Sequence, residues 1–90
     1  MLSSGQVVPI YGKGLRIGRM DDNDLVVDDV KVSRYHAHIV NVGTGFAIND
    51  LRSTNGTTVG SERVLDSRVL HHRDVIGIGS GQYVFECEPG

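Results

Sequence analysis

The sequence predicts an all-β domain, a two-sheet antiparallel β-sandwich with its ligand loops at one end. Short runs of Val, Ile, Tyr and Phe recur every several residues, Gly, Asp, Asn and Ser separate them, and no segment sustains an apolar stripe at helical spacing. Strands this short, with so few residues between them, pack best as two layers, which gathers the connecting loops at the ends.

In chain order the expected strands are Gln6 to Tyr11, Leu15 to Gly18, Leu25 to Val27, Tyr35 to Val42, Phe46 to Asp50, Thr57 to Val59, Arg63 to Leu65, Val75 to Ile78 and Tyr83 to Glu88. In Tyr35 to Val42 a period of two sends Ala37 and Ile39 to one face and His36 and His38 to the other. Gly43-Thr44-Gly45 then turns the chain into Phe46 and Ile48, which alternate in the same way, so the pair reads as an antiparallel hairpin whose apolar face enters the core. There is no internal repeat, linker or low-complexity tract.

The chain has 90 residues, 39% apolar and 22% charged, with 12 glycines, which fits one globular domain with a modest core. A formal net charge of -2 argues against nonspecific nucleic-acid binding, which needs a basic surface, so any anion recognition is local. Cys87 is the only cysteine, so no internal disulfide forms and nothing points to an oxidising compartment. The start, Met1-Leu2-Ser3-Ser4-Gly5, lacks a basic region followed by a long apolar stretch, and no run is long enough to span a bilayer. A cytoplasmic, membrane-free setting is the expectation. Residues 1-5 are expected to be a flexible N-terminus and residues 6-88 the domain. Because strand-like material reaches almost to both ends, the chain is expected to be one module of a larger multidomain protein.

The chemistry lies in the loops. Gly18-Arg19, Ser33-Arg34-Tyr35-His36 and Ser53-Thr54-Asn55-Gly56-Thr57 all fall between apolar runs. Two guanidiniums with short hydroxyl and amide side chains suit an oxyanion, because Arg offers a planar fork of donors and Ser, Thr and Asn add single directed ones. Gly18 lets the strand end turn sharply and lets another chain approach. Taken singly, Arg19 is an ordinary surface arginine and Ser33 an ordinary turn serine; their company is what argues for a site. His36 has the chemistry of a base, a metal ligand or a brace for the loop carrying Ser33, and the brace is favoured. Asn55-Gly56 is a turn dipeptide that accepts positive φ, with Ser53 and Thr54 adding hydroxyls expected to face outward. Asp50 is expected to anchor this loop by accepting hydrogen bonds, Leu51 by burial.

In this order these pieces resemble a forkhead-associated (FHA) domain, a family of β-sandwich modules that bind phosphothreonine peptides. The likeness covers almost the whole chain: Ile17-Gly18-Arg19, Asn23-Asp24-Leu25-Val26-Val27, Ser33-Arg34-Tyr35-His36-Ala37-His38-Ile39, Phe46 through Thr57, and Asp74-Val75-Ile76-Gly77-Ile78-Gly79. The resemblance implies that Arg19, Ser33, Arg34 and Thr54 hold the phosphate and that Asn55 binds the peptide backbone. It implies that Gly18, His36, Asp50 and Gly56 shape the loops, and that an apolar niche for the threonine methyl disfavours phosphoserine. Lys31 lies where family members select a side chain downstream of the phosphothreonine; Arg52 and Ser53 are further specificity candidates. Two departures, Arg73 before Asp74 and Gly60 after the Asn-Gly turn, fall outside the phosphate contacts.

The partner implied is a phosphothreonine-containing protein or peptide, in trans or within the host chain, made by an upstream Ser/Thr protein kinase. A phosphate of about -1.5 to -2 charges is matched by two arginines and neutral donors. No cofactor or metal is expected. Ser33, His36 and Asp50 are the only trio that can be assembled as a nucleophile with a base, and no glycine elbow or oxyanion-hole signal accompanies them, so the chain is not expected to be an enzyme. His71, His72 and Asp74, or His36 with His38, lack the spacing of a full ligand set. The serious alternative is a phosphate-independent sandwich that binds protein through a sheet face or edge.

Overall fold

The computed structural model describes residues 7-87. They form the strands β1 (Leu15–Gly18), β2 (Leu25–Val26), β3 (Ala37–Asn41), β4 (Phe46–Asp50), β5 (Thr57–Val59), β6 (Glu62–Arg63), β7 (Ser67–Val69), β8 (Val75–Ile78) and β9 (Gly81–Val84). One sheet runs β2-β1-β3-β4-β7 and the other β6-β5-β8-β9, which is the predicted two-layer, all-β architecture. No helix of the described residues is long and apolar enough to cross a membrane.

Alternation builds the core. Leu15, Ile17, Ala37, Ile39 and Ile48 face inward from the five-stranded sheet and meet Val59, Ile76 and Ile78 from the other. Ile48 and Ile78 are wholly buried, and each such side chain contributes about 1.5 to 3 kcal/mol of transfer free energy. Phe46 and Phe85 close one side edge-to-face, with ring centroids 6.0 Å apart. β3 and β4 form the predicted antiparallel hairpin, with Ile39 opposite Ile48, around a turn in which Gly43 has a φ of 88°.

Several expectations are corrected. The pairing is not wholly antiparallel, because β1 and β2 run parallel, Ile17 beside Leu25. The strand expected from Gln6 to Tyr11 does not form over residues 7-10; Pro9 removes a ladder donor there, and Tyr11 makes only an isolated bridge to Gly14. β3 starts at Ala37, two residues late, because Tyr35 and His36 belong to the loop. Leu65 is not in a strand and is exposed, β6 being Glu62–Arg63, while the polar β7 pairs with β4 although its composition gives no strand signal. The last strand is Gly81–Val84, not Tyr83 to Glu88. The expectations for residues 1-6 and Glu88 lie outside the described residues.

Candidate functional site

Three loops meet beyond the ends of β1, β3 and β4: residues 19-24, 27-36 and 51-56. Ser33 is their junction. Its carbonyl accepts the Arg19 N–H at 3.1 Å, and its Oγ accepts the Thr54 N–H at 3.0 Å. With a lone pair committed to Thr54, the Ser33 hydroxyl keeps its own hydrogen for an outside acceptor. Arg19, Arg34, Thr54 and Asn55 are exposed around it, and neither guanidinium is in an ion pair among the described residues. The Asn55 amide spans the loops, its Nδ2 donating to the Lys31 carbonyl at 2.8 Å.

Beneath this surface the loops are tied from inside. His36 is fully buried, not on an outer face with His38; the Ser33 N–H donates to its Nδ1 at 3.1 Å, while its Nε2 lies 2.9 Å from the Gly56 carbonyl. These partners assign the proton to Nε2, since Nδ1 must accept and a carbonyl can only accept. The imidazole therefore bridges the loop carrying Ser33 and the loop carrying Thr54. Asp50 holds the third side: Oδ1 accepts from the Ser53 hydroxyl at 2.5 Å and the Thr57 hydroxyl at 2.8 Å, and Oδ2 accepts the Ser53 N–H at 3.2 Å. Ser53 is thus buried with its hydroxyl turned inward, which corrects the expectation that it faces out. Leu51 is exposed rather than buried, so Asp50 anchors the loop without it.

Two glycines are required by close approach. A side chain at Gly18 would collide with the Arg34 carbonyl and come within 2.7 Å of the Asn23 Nδ2. At Gly56, φ is 84° and the Arg63 guanidinium lies over the Cα, its Nε 2.8 Å from where a Cβ would stand. Arg52 also adopts positive φ, 57°, in the same loop.

Asn23, Asp29 and Arg63 carry parts of this architecture that sequence reasoning did not assign. Buried Asn23 donates through Nδ2 to the Met20 and Arg34 carbonyls, each at 2.9 Å, which fixes the backbone beside Arg34. Asp29 accepts the Lys31 N–H on Oδ1 and the Ser80 N–H on Oδ2, each at 2.9 Å, joining the Lys31 loop to the β8-β9 turn. The Lys31 N–H, and next the Ser80 N–H, hold its carboxyl below the usual aspartate range. An Asp two residues before an amide is the only cue the sequence offers. On the other flank the Tyr35 hydroxyl donates to Asp22 at 2.9 Å, which raises the phenol pKa. A polar groove of about 560 Å³ opens beside Lys31, Asn55 and Gly56 and is floored by Gly77, Gly79 and Gly81. The apolar gap of about 480 Å³ between the sheets, bounded by residues such as Leu15, Ile39 and Phe46, has no anion-binding chemistry.

Ser33, His36 and Asp50 form no relay, because His36 meets the Ser33 backbone and not its Oγ, and Asp50 is engaged by Ser53 and Thr57. Among the described residues no group of three or more His, Cys, Asp or Glu is placed to hold a metal ion. His71 lies 3.8 Å from Asp74, and His72 accepts the Cys87 N–H at 3.1 Å.

The end loops of the β-sandwich present Arg19 and Arg34, neither in an ion pair among the described residues, beside Ser33. The FHA domain model matches residues 15-79, and the chain belongs to that family. The transcriptional regulatory protein EmbR of Mycobacterium tuberculosis is 43% identical over 89 residues, 99% of this chain but 23% of EmbR. The structure of EmbR in complex with a low-affinity phosphopeptide superposes with a TM-score of 0.92 at 43% identity, covering 98% of this chain and 23% of that one. A chain solved in a study of phosphothreonine-dependent FHA domain interactions matches with a TM-score of 0.90 at 32% identity, covering 99% of this chain and 94% of that one. The chain thus spans about a quarter of the length of EmbR.

Proposed function

We propose that this chain is a phosphothreonine-peptide binding module that serves as a signalling adaptor downstream of a Ser/Thr protein kinase, within a larger protein. The observation that carries the reading is the Ser33 junction: a hydroxyl with its hydrogen free, fixed by the Arg19 and Thr54 N–H groups, beside two exposed guanidiniums outside any described ion pair. A phosphate supplies the charge and acceptor oxygens such a ring needs, while an unmodified threonine leaves both arginines unmatched. Arg19, Ser33, Arg34 and Thr54 hold the phosphate in this reading, and Asn55 the peptide backbone. In this reading the module binds phosphate without hydrolysing it, in keeping with Ser33, His36 and Asp50 forming no relay. EmbR, similar over almost all of this chain, has been solved with a phosphopeptide, which supports the same class of ligand here.

The test is a calorimetric titration at moderate salt with matched phosphothreonine, phosphoserine and unmodified peptide libraries. Saturable binding to the phosphothreonine library is expected, weaker binding to phosphoserine and none to the unmodified set. Equal binding to all three would move the function to a sheet face.

A further inference from the structure

We infer that Arg63 is a specificity residue that selects an acidic side chain, Asp or Glu, in the part of the phosphopeptide leaving the phosphate loops over the outer face of the four-stranded sheet. The inference rests on the phosphopeptide reading and extends it to a residue outside the three loops. Arg63, Thr58, Gly77 and Gln82 stand in register across β6, β5, β8 and β9. Their neighbours Val59, Ile76 and Ile78 point into the core, so this row faces out. Gly77 brings no side chain to the row, and the polar groove that begins at Lys31 and Asn55 runs down over Thr58, Gly77 and Gln82.

Charge decides what the groove favours. The Arg63 guanidinium lies over Gly56, a residue that lines the groove, within 2.8 to 3.1 Å of where a Cβ would be. It is exposed and in no ion pair among the described residues. Its neighbour Glu62 is engaged by Arg68 at 2.9 Å, and both oxygens of Asp29 are taken by the Lys31 and Ser80 amides. Lys31 lines the groove and Arg63 stands beside it over Gly56, both as cations whose nearby carboxylates are engaged. A guanidinium offers a carboxylate two parallel donors in a fixed fork, which adds direction to the charge attraction.

The experiment walks one Asp through each position on both sides of the phosphothreonine in an otherwise neutral peptide. Affinity is expressed as the ratio to the all-neutral phosphopeptide. In the wild-type domain a ratio of about two to five is expected at positions on one side, the range of an exposed ion pair, declining with added salt. In Arg63→Gln at least one of these ratios falls to one, and in Arg63→Lys it is partly kept. If Arg63 only supports Gly56, Arg63→Gln weakens neutral and Asp peptides alike and every ratio stays as in wild type, which overturns the inference. A wild-type ratio of one at every position overturns it without any variant. Failure of the neutral phosphothreonine peptide itself to bind is a separate outcome, which sinks the phosphopeptide reading and this inference with it.

Discussion

The buried imidazole of His36 stands 2.9 Å from the carbonyl of Gly56, twenty residues away, and through its other nitrogen takes the N–H of Ser33 at 3.1 Å. From beneath, one side chain therefore ties the loop that offers Ser33 to the loop that offers Thr54 and Asn55, which the Ser33 Oγ and Asn55 Nδ2 contacts also join at the surface. Replacing it with alanine leaves two buried polar groups unpaired at about 1 to 3 kcal/mol each and opens a cavity. For a domain of this size that is a large share of total stability. We expect His36→Ala to lower the urea midpoint steeply and to weaken phosphopeptide binding even where the domain is still folded; an unchanged midpoint would show that the bridge carries no stability.

Arg19→Ala separates site from fold. The Arg19 backbone N–H, not its exposed side chain, makes the hydrogen bond to Ser33, so the structural role survives the substitution. Losing one charge-assisted contact to phosphate costs about 1.5 to 3 kcal/mol, roughly ten- to a hundredfold in affinity. The expected result is an intact melting curve with binding reduced to that extent. A module that binds through a sheet face would hold its partner as tightly as before.

Gly18→Ala acts in the reverse order. The added methyl meets the Arg34 carbonyl and the Asn23 amide, both fixed in place, so the β1 end and the backbone beside Arg34 must separate. Destabilisation of about 2 kcal/mol or more is expected by chemical denaturation, with affinity falling as a consequence.

Asp29 gives a pH signature. Its carboxyl is held below the usual aspartate range by the Lys31 N–H first and the Ser80 N–H second. A lowered folded-state value means that the stabilisation is fully present above the ordinary aspartate range and is lost as pH falls through the folded value. The amide resonances of Lys31 and Ser80 are expected to move together on acidification below that range, and Asp29→Asn should abolish this joint step. Peptide affinity should decline earlier, below about pH 6, as the phosphate takes up its second proton.

The residues proposed to face the phosphate were more legible than those that position them. Arg19, Ser33, Arg34 and Thr54 announce themselves as charged or hydroxylic side chains clustered at turns, because the chemistry of anion binding is a property of side-chain type. Asn23 and Asp29 act on backbone groups distant in sequence, Arg34 and Ser80, and Arg63 covers Gly56 only because β5 and β6 pair. Nothing in their composition distinguishes them from loop polar residues. Ser53 and Leu51 were read with the wrong orientation for a related reason: with Arg52 at positive φ, the loop turns the serine in and the leucine out, which no hydropathy pattern encodes. For the fold, alternating runs located β1, β4, β5 and β8. β7 escaped because Ser67 and Arg68 owe their place to pairing with β4 rather than to apolarity.

The most direct test of the central claim is an amide-resolved NMR titration with a phosphothreonine peptide. The account predicts that the largest shifts fall on Arg19, Ser33, Arg34, Thr54 and Asn55, and that they vanish with the unphosphorylated peptide. Shifts centred on outward strand residues such as Arg16, His38 and Val69, and equal for both peptides, would contradict it.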